Sequence, residues 1–275
     1  MPPSQATATT ARPETETEET EPETGATAAT ARPHRAKVIT FFQQKGGAGK
    51  STDAINTAAV MGESNPPEPG KPCPVVACGV DVQGSLEEWA SKVPEKKLPF
   101  DYVITKGKVG ELRKLVEDPD VLRIIVDTPG FADIDPNAPI DAEDPLGFGP
   151  AAEAMREVLE LTDLALVPIV PVETLTHKPA EFTVERLLRP RGIPFRLLIN
   201  NWDSGTDRTK ADLKEMQDWC RERDYPFMSQ AIRRYKMHAQ APAKGLTVIQ
   251  YPESGTALRA REDFYKLALG VEGLI

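Results

Sequence analysis

The sequence of 275 residues is poor in cysteine and in positive charge, and it has no apolar run near the roughly 20 residues that a membrane-spanning helix requires. Its three cysteines, Cys73, Cys78 and Cys220, are odd in number and lack C-x-x-C spacing. That pattern argues against a disulfide framework or a zinc site and suits a reducing compartment. The first residues also lack the apolar stretch of a secretory signal, so the expected location is cytoplasmic. Acidic residues outnumber basic ones, for a formal net charge of -9. The chain as a whole therefore repels nucleic acid, and any contact with DNA must come from a local basic cluster. Large apolar side chains are almost missing between Met1 and Val38, where Thr, Ala, Glu and Pro dominate. Such a segment cannot bury enough surface to offset its ordering entropy. Residues 1–35 are expected to form a disordered tail, and 36–275 a single domain.

What is present starts with Val38-Ile39-Thr40, followed by Phe41-Phe42-Gln43-Gln44-Lys45-Gly46-Gly47-Ala48-Gly49-Lys50-Ser51-Thr52. An apolar run, a glycine-rich turn closed by Gly-Lys-Ser and a helix-competent segment make the layout of a phosphate-binding loop. Glycines let successive backbone N–H groups converge on an anion, and the helix that follows turns its positive dipole end toward the same phosphates. In this layout Lys50 neutralises charge on the β- and γ-phosphates and the Ser51 hydroxyl holds Mg²⁺. The spacing predicts a helix over 51–61 ended by Gly62, then an irregular proline-rich connection over 63–74.

Further apolar runs are expected as strands at 75–78, 121–126, 164–170 and 195–199, with helices at 151–161, 178–188, 209–223 and 256–269 between and after them. Strands alternating with helices imply an α/β fold with a mainly parallel sheet flanked by helices on both faces. Ligand chemistry then falls at the carboxyl ends of the strands. Asp81, in Gly79-Val80-Asp81-Val82-Gln83-Gly84-Ser85, is the candidate for orienting an attacking water, with a helix-capping role as the alternative. Asp127, in Asp127-Thr128-Pro129-Gly130, has the form of a Walker B carboxylate holding a Mg²⁺-bound water. The loop over 131–150 follows it and is expected to respond to nucleotide state.

The variant K-G-G-x-G-K-S-T, with Gln44 where the ordinary motif has Gly, resembles the ParA/MinD family of deviant Walker A ATPases, its ParA-like branch in particular. Asp53-Ala54-Ile55-Asn56 continues the resemblance, as do Asp81, Gln83, Gly84 and Ser85, although Gly79 and Val82 replace an acid and a proline of the family's pattern. It extends to the strand closing near Pro168 and Pro171, to Asp207-Arg208-Thr209 and to the stretch from Ile232 to Val248. The resemblance implies a single P-loop NTPase domain, ATP and Mg²⁺ as cofactors, and an ATP-dependent homodimer in which Lys45 reaches the partner's nucleotide. By it the phosphate site comprises Lys45, Gly46, Gly47, Ala48, Gly49, Lys50, Ser51 and Thr52, with Lys45, Lys50, Asp81 and Asp127 carrying slow hydrolysis.

An Asn at the strand end contacts adenine in that family, and Asn200 takes that place. Asn200-Asn201-Trp202-Asp203 also loosely resembles the N-K-x-D guanine signature. Arg233, Arg234 and Lys236 form the best basic cluster, and relatives use this region to bind DNA without sequence preference. The implied function is partition or positioning of DNA cargo, nucleoid-associated when ATP is bound, with hydrolysis stimulated by a ParB-like centromere-binding protein. Alternatives are a MinD-like positioning ATPase and a nucleotide-binding scaffold without turnover. The ending Leu267-Ala268-Leu269-Gly270-Val271-Glu272-Gly273-Leu274-Ile275 lacks the basic residues of a membrane-surface helix. A nitrogenase-type iron protein needs cysteines near Asp127, and the sequence has none there.

Overall fold

A computed structural model describes residues 35–80, 84–93, 98–130, 144–172 and 174–275. The expected tail, apart from Arg35, and the core of the loop after Gly130 lie outside those residues. The chain runs β1 (Lys37–Phe41), α1 (Lys50–Ser64), β2 (Val75–Gly79), α2 (Ser85–Ala90), β3 (Asp101–Ile104), α3 (Glu111–Glu117), β4 (Arg123–Asp127) and α4 (Pro150–Leu161). It continues through β5 (Leu164–Ile169), α5 (Thr174–Phe182), β6 (Phe195–Ile199), α6 (Ala211–Glu222), α7 (Met237–Ala243) and α8 (Gly255–Glu272). The six strands form one parallel sheet in the order β3-β2-β4-β1-β5-β6.

Successive side chains of a strand point to opposite faces, and both faces of this sheet are covered. Val38, Ile124, Val126, Val167 and Leu197 pack with Met155 and Val158 of α4 and with Met216 of α6. Their neighbours Ile39, Phe41, Ile125, Leu166 and Leu198 pack with Ala54, Ala58 and Met61 of α1 and with Phe264 and Leu267 of α8. This explains why the inner strands read as largely apolar runs.

Register fixes where the site lies. Phe41 pairs with Asp127, and Asp127 pairs with Gly79. The turns after β1, β2 and β4 therefore leave the sheet at one level of its carboxyl edge. Asn56 of α1 then ties the site to the chain's later half, its Nδ2 donating to Thr52 O and its Oδ1 accepting from Val248 N, at 2.7 Å each.

Several elements depart from expectation. Helix α1 passes through Gly62 and ends at Ser64. Gly62 is not a helix stop: a Cβ there would lie 2.0 Å from the Pro99 carbonyl oxygen, so the glycine admits the chain entering β3. Strand β3 and helix α3 were not foreseen. Strand β3 is a four-residue edge strand whose first two residues, Asp101 and Tyr102, are exposed, so it has no apolar run. Helix α3 is seven residues long and buries just Leu112 and Val116. The helix expected over 178–188 starts earlier, at Thr174, and passes into a π-helical turn over Thr183–Leu188, with Pro179 inside the helix.

Candidate active site

The phosphate loop is held from below by Gln43, which is fully buried and whose Nε2 donates to Pro168 O at 2.9 Å. That bond ties the loop to β5. Gly47 and Gly49 have φ of 82° and 96°, a left-handed backbone that glycine adopts without strain. Gly49 is the N-cap of α1, and Asp53 N donates to its carbonyl at 2.9 Å. Nothing lies within 4 Å of a Cβ built on Gly46 or Gly47, so that side of the loop is open to a ligand. Lys50 is buried and donates from Nζ to the Lys45 carbonyl at 3.3 Å, which curls its ammonium over the loop. Ser51 and Thr52 follow in the first turn of α1, half-buried, and Lys45 is half-buried at the loop's shoulder.

Asp127 ends β4 with 1 % of its surface exposed. Beside it, Thr128 Oγ1 donates to Phe41 O at 2.7 Å, so the acid's turn is fastened to the root of the phosphate loop. Val80 N donates to Asp127 O at 3.1 Å, bringing the turn after β2 alongside. At Gly79 a Cβ would stand 3.0 Å from side-chain atoms of both Ile104 and Leu86, so packing occupies the space that an acid would need. Asp81 and Gln83 fall outside the described residues.

A cleft of about 760 Å³ opens beside the loop. Gly47, Ala48, Gly49 and Thr52 form one wall, Asn200, Asn201 and Asp203 another, and Arg234, Tyr235, Lys236 and His238 a third. The last two walls are laced together: Trp202 N donates to Ile232 O at 3.0 Å and Arg234 N to Trp202 O at 2.8 Å. Asp207, from the Asp-Arg-Thr segment, accepts from Trp202 Nε1 at 2.9 Å and from Ala211 N at 2.7 Å, which anchors the turn and starts α6.

The basic cluster read from the sequence is divided by the fold. Arg233 turns inward: its backbone N and its guanidinium both bond Asp263 of α8, and Nη2 also reaches Glu262 at 3.2 Å. Arg233 thus forms an ion pair with Asp263 that joins two parts of the chain, which sets it apart from its two basic neighbours. Arg234 and Lys236 remain exposed at the rim of the cleft. Two further site residues escaped the sequence reading. Gln43 hides in an apolar stretch, and Asp53 looks like an ordinary first-turn helix acid. Asp53 is fully buried, and its pKa is raised well above the usual carboxylate range by that burial and by the Asp127 carboxylate.

The residues suit a nucleoside triphosphate with a divalent cation. The open glycines admit phosphates, the cleft has room for a nucleoside, and a buried carboxylate stands at the strand tip. Among the described residues no group of three or more His, Cys, Asp or Glu is placed to hold a metal. A cation at Ser51 and Asp127 would complete its shell with phosphate oxygens and water, the usual arrangement for Mg²⁺.

No family model matches the chain. It is 27 % identical over 232 residues, 84 % of this chain and 92 % of the relative, to maintenance of carboxysome distribution protein A from Gloeobacter kilaueensis. Among solved structures, the septum site-determining protein MinD of Pyrococcus horikoshii, complexed with Mg-ADP, superposes with a TM-score of 0.59 at 19 % identity, over 87 % of this chain and 97 % of that one. McdA of Cyanothece, as a variant in complex with ATP, gives 0.55 at 14 % identity, over 86 % and 97 %. The chain is thus similar in sequence to a carboxysome distribution protein and shares the fold of MinD and McdA, with its glycine-rich loop presented at the carboxyl edge of the parallel sheet.

Proposed function

We propose that this chain is an ATP-driven positioning switch: it binds ATP, pairs with a second copy, attaches to DNA without sequence preference and is reset by slow hydrolysis that a partner stimulates. The observation that carries the reading is the loop in which Lys50 curls back to the Lys45 carbonyl while the Lys45 side chain stands at the shoulder. One ammonium serves the chain's own phosphates, which leaves the other for a nucleotide held by the facing copy.

Lys50 and the amides of 46–52 bind and orient the phosphates, using the left-handed turns at Gly47 and Gly49. Mg²⁺, held by Ser51 and through water by Asp127, would neutralise charge on the β- and γ-phosphates. Asp81 orients the attacking water. Waiting for a second lysine and a partner keeps basal turnover slow, because charge stabilisation is incomplete in one chain alone. ATP then acts as a population switch, since the paired state is the one it favours.

Arg234 and Lys236 contact DNA phosphates from the rim of the cleft. The cargo is moved through a partner such as a ParB-like protein. The relative named for carboxysome distribution supports positioning as the broader task and leaves a proteinaceous body among the cargoes to test. No described helix is long and apolar enough to cross a membrane.

The test is sedimentation with ATP, ADP or no nucleotide, on the natural chain and Lys45→Ala, together with steady-state ATPase in the presence of duplex DNA. ATP-dependent dimers of the natural chain, monomers of the variant with nucleotide binding intact, and slow turnover are expected. Normal dimers of Lys45→Ala would refute the role in trans. Tight ATP binding with no turnover under any condition would favour a scaffold, in keeping with the packed Gly79.

A further inference from the structure

Asn200 stands where the family resemblance assigns a contact to adenine, yet its carboxamide is already engaged. The side chain is 4 % exposed. One hydrogen of Nδ2 goes to the Ala48 carbonyl and the other to Asp53 Oδ2, at 2.8 Å each. Its Oδ1 accepts from Asn201 N at 2.7 Å. A carboxamide has two N–H donors and a carbonyl with two lone pairs, so both donors are spent and one of the two acceptor positions is taken. Exchanging the oxygen and nitrogen would aim the oxygen at two acceptors, so the network fixes this orientation.

The same nitrogen lies 2.2 Å from where a Cβ on Gly49 would stand. The glycine therefore lets the phosphate loop press directly against the end of β6. Asp53, fully buried in the first turn of α1, receives this bond on Oδ2, while its Oδ1 has no hydrogen-bond partner among the described residues. Removing Asn200 would strip that buried carboxyl group of its side-chain donor.

We propose that Asp53 and Asn200 are a strut that sets the phosphate loop, through the Asp53–Asn200–Ala48 hydrogen bonds, and that Asn200 positions phosphates instead of recognising the base. Base recognition falls to the groups that face the open cleft, Asn201 and Asp203 from the turn after β6. Both residues of the strut are positioning residues. The inference rests on the nucleotide reading above and specifies how that site is shaped.

The test compares Mg²⁺-dependent binding of ATP, GTP and inorganic tripolyphosphate to the full chain and to Asn200→Ala, Asp53→Ala and Asp53→Asn, with thermal melting to confirm folding. Tripolyphosphate has no base, so it separates the two roles. Asn200→Ala and Asp53→Ala should weaken ATP and tripolyphosphate by the same factor, about tenfold for a lost buried hydrogen bond, and leave the ATP:GTP ratio unchanged. Asp53→Asn, whose amide oxygen still accepts from Asn200, should stay within about threefold of the natural chain. Should Asn200→Ala fail to fold, the two Asp53 variants decide by the same comparison. Loss of ATP with tripolyphosphate unchanged, or a shifted ATP:GTP ratio, would overturn the strut. A natural chain that binds neither ATP nor tripolyphosphate would overturn the nucleotide reading itself, and the strut with it.

Discussion

The Arg233 guanidinium sits against the Asp263 carboxylate, with Nη2 at 2.6 Å and Nε at 3.0 Å from Oδ1. Asp263 is 1 % exposed and belongs to α8, so the pair fastens the segment before α7 to the last helix. Arg233→Ala leaves a buried carboxylate with just two donors, Gln230 Nε2 and its own Arg233 backbone N. Such a loss costs on the order of 3 kcal/mol. Chemical denaturation should show a lower midpoint with an unchanged slope, and a midpoint within error of the natural chain would refute the pairing.

Arg234 and Lys236, which have exposed side chains, carry the DNA prediction. Reversing both to Glu should abolish retention on nonspecific duplex at low salt. Replacing both with Ala should lower the slope of log K against log salt by about 2, one counterion per lost phosphate contact. Binding isotherms with ATP at several salt concentrations read this directly, and an unaltered slope would move the contact elsewhere.

Gly62→Ala tests the close approach of α1 to Pro99. Alanine gains about 1 kcal/mol of helix propensity over glycine. Against that gain, a Cβ placed 2.0 Å from a backbone oxygen must displace a strand entry. Overpacking of this kind costs about 1–3 kcal/mol or more, so the clash wins. Differential scanning calorimetry should show a Tm lower by several degrees, and a raised Tm would show that Gly62 merely weakens its helix.

His238 gives the fold a pH dependence. Its ring lies between Tyr235 and Phe264, at centroid distances of 5.8 and 5.7 Å, and burial lowers its pKa from 6.5 to about 4. The unfolded chain thus takes up this proton at a higher pH than the folded one. The associated stability is full above pH 6.5 and is withdrawn as pH falls toward 4, by about 3 kcal/mol. His238→Leu should flatten that part of the profile when urea midpoints are compared at neutral and acidic pH. Parallel profiles for the two proteins would refute the assignment.

The fold class was legible in the sequence because the buried strands of a two-sided parallel sheet are apolar along most of their length, as in Val75–Cys78 and Leu164–Ile169. Edge elements were not: β3 exposes Asp101 and Tyr102 and so carries no comparable signal. Gly62 was misread for a related reason. A glycine demanded by a neighbouring backbone looks the same in the sequence as one that ends a helix.

The same division holds at the site. The order of residues from Lys45 to Thr52 by itself carried the glycine spacing, lysine and hydroxyl that are the local requirements of anion binding. Asp127 was legible as an acid at a strand tip. The tertiary structure alone decided that Arg233 faces Asp263 while Arg234 and Lys236 face the cleft, and that Asn200 and Asp53, 147 positions apart, share a hydrogen bond. Sequence adjacency sets a residue's chemistry, but its charge is free or spent according to what the fold packs beside it, and those partners come from distant parts of the chain.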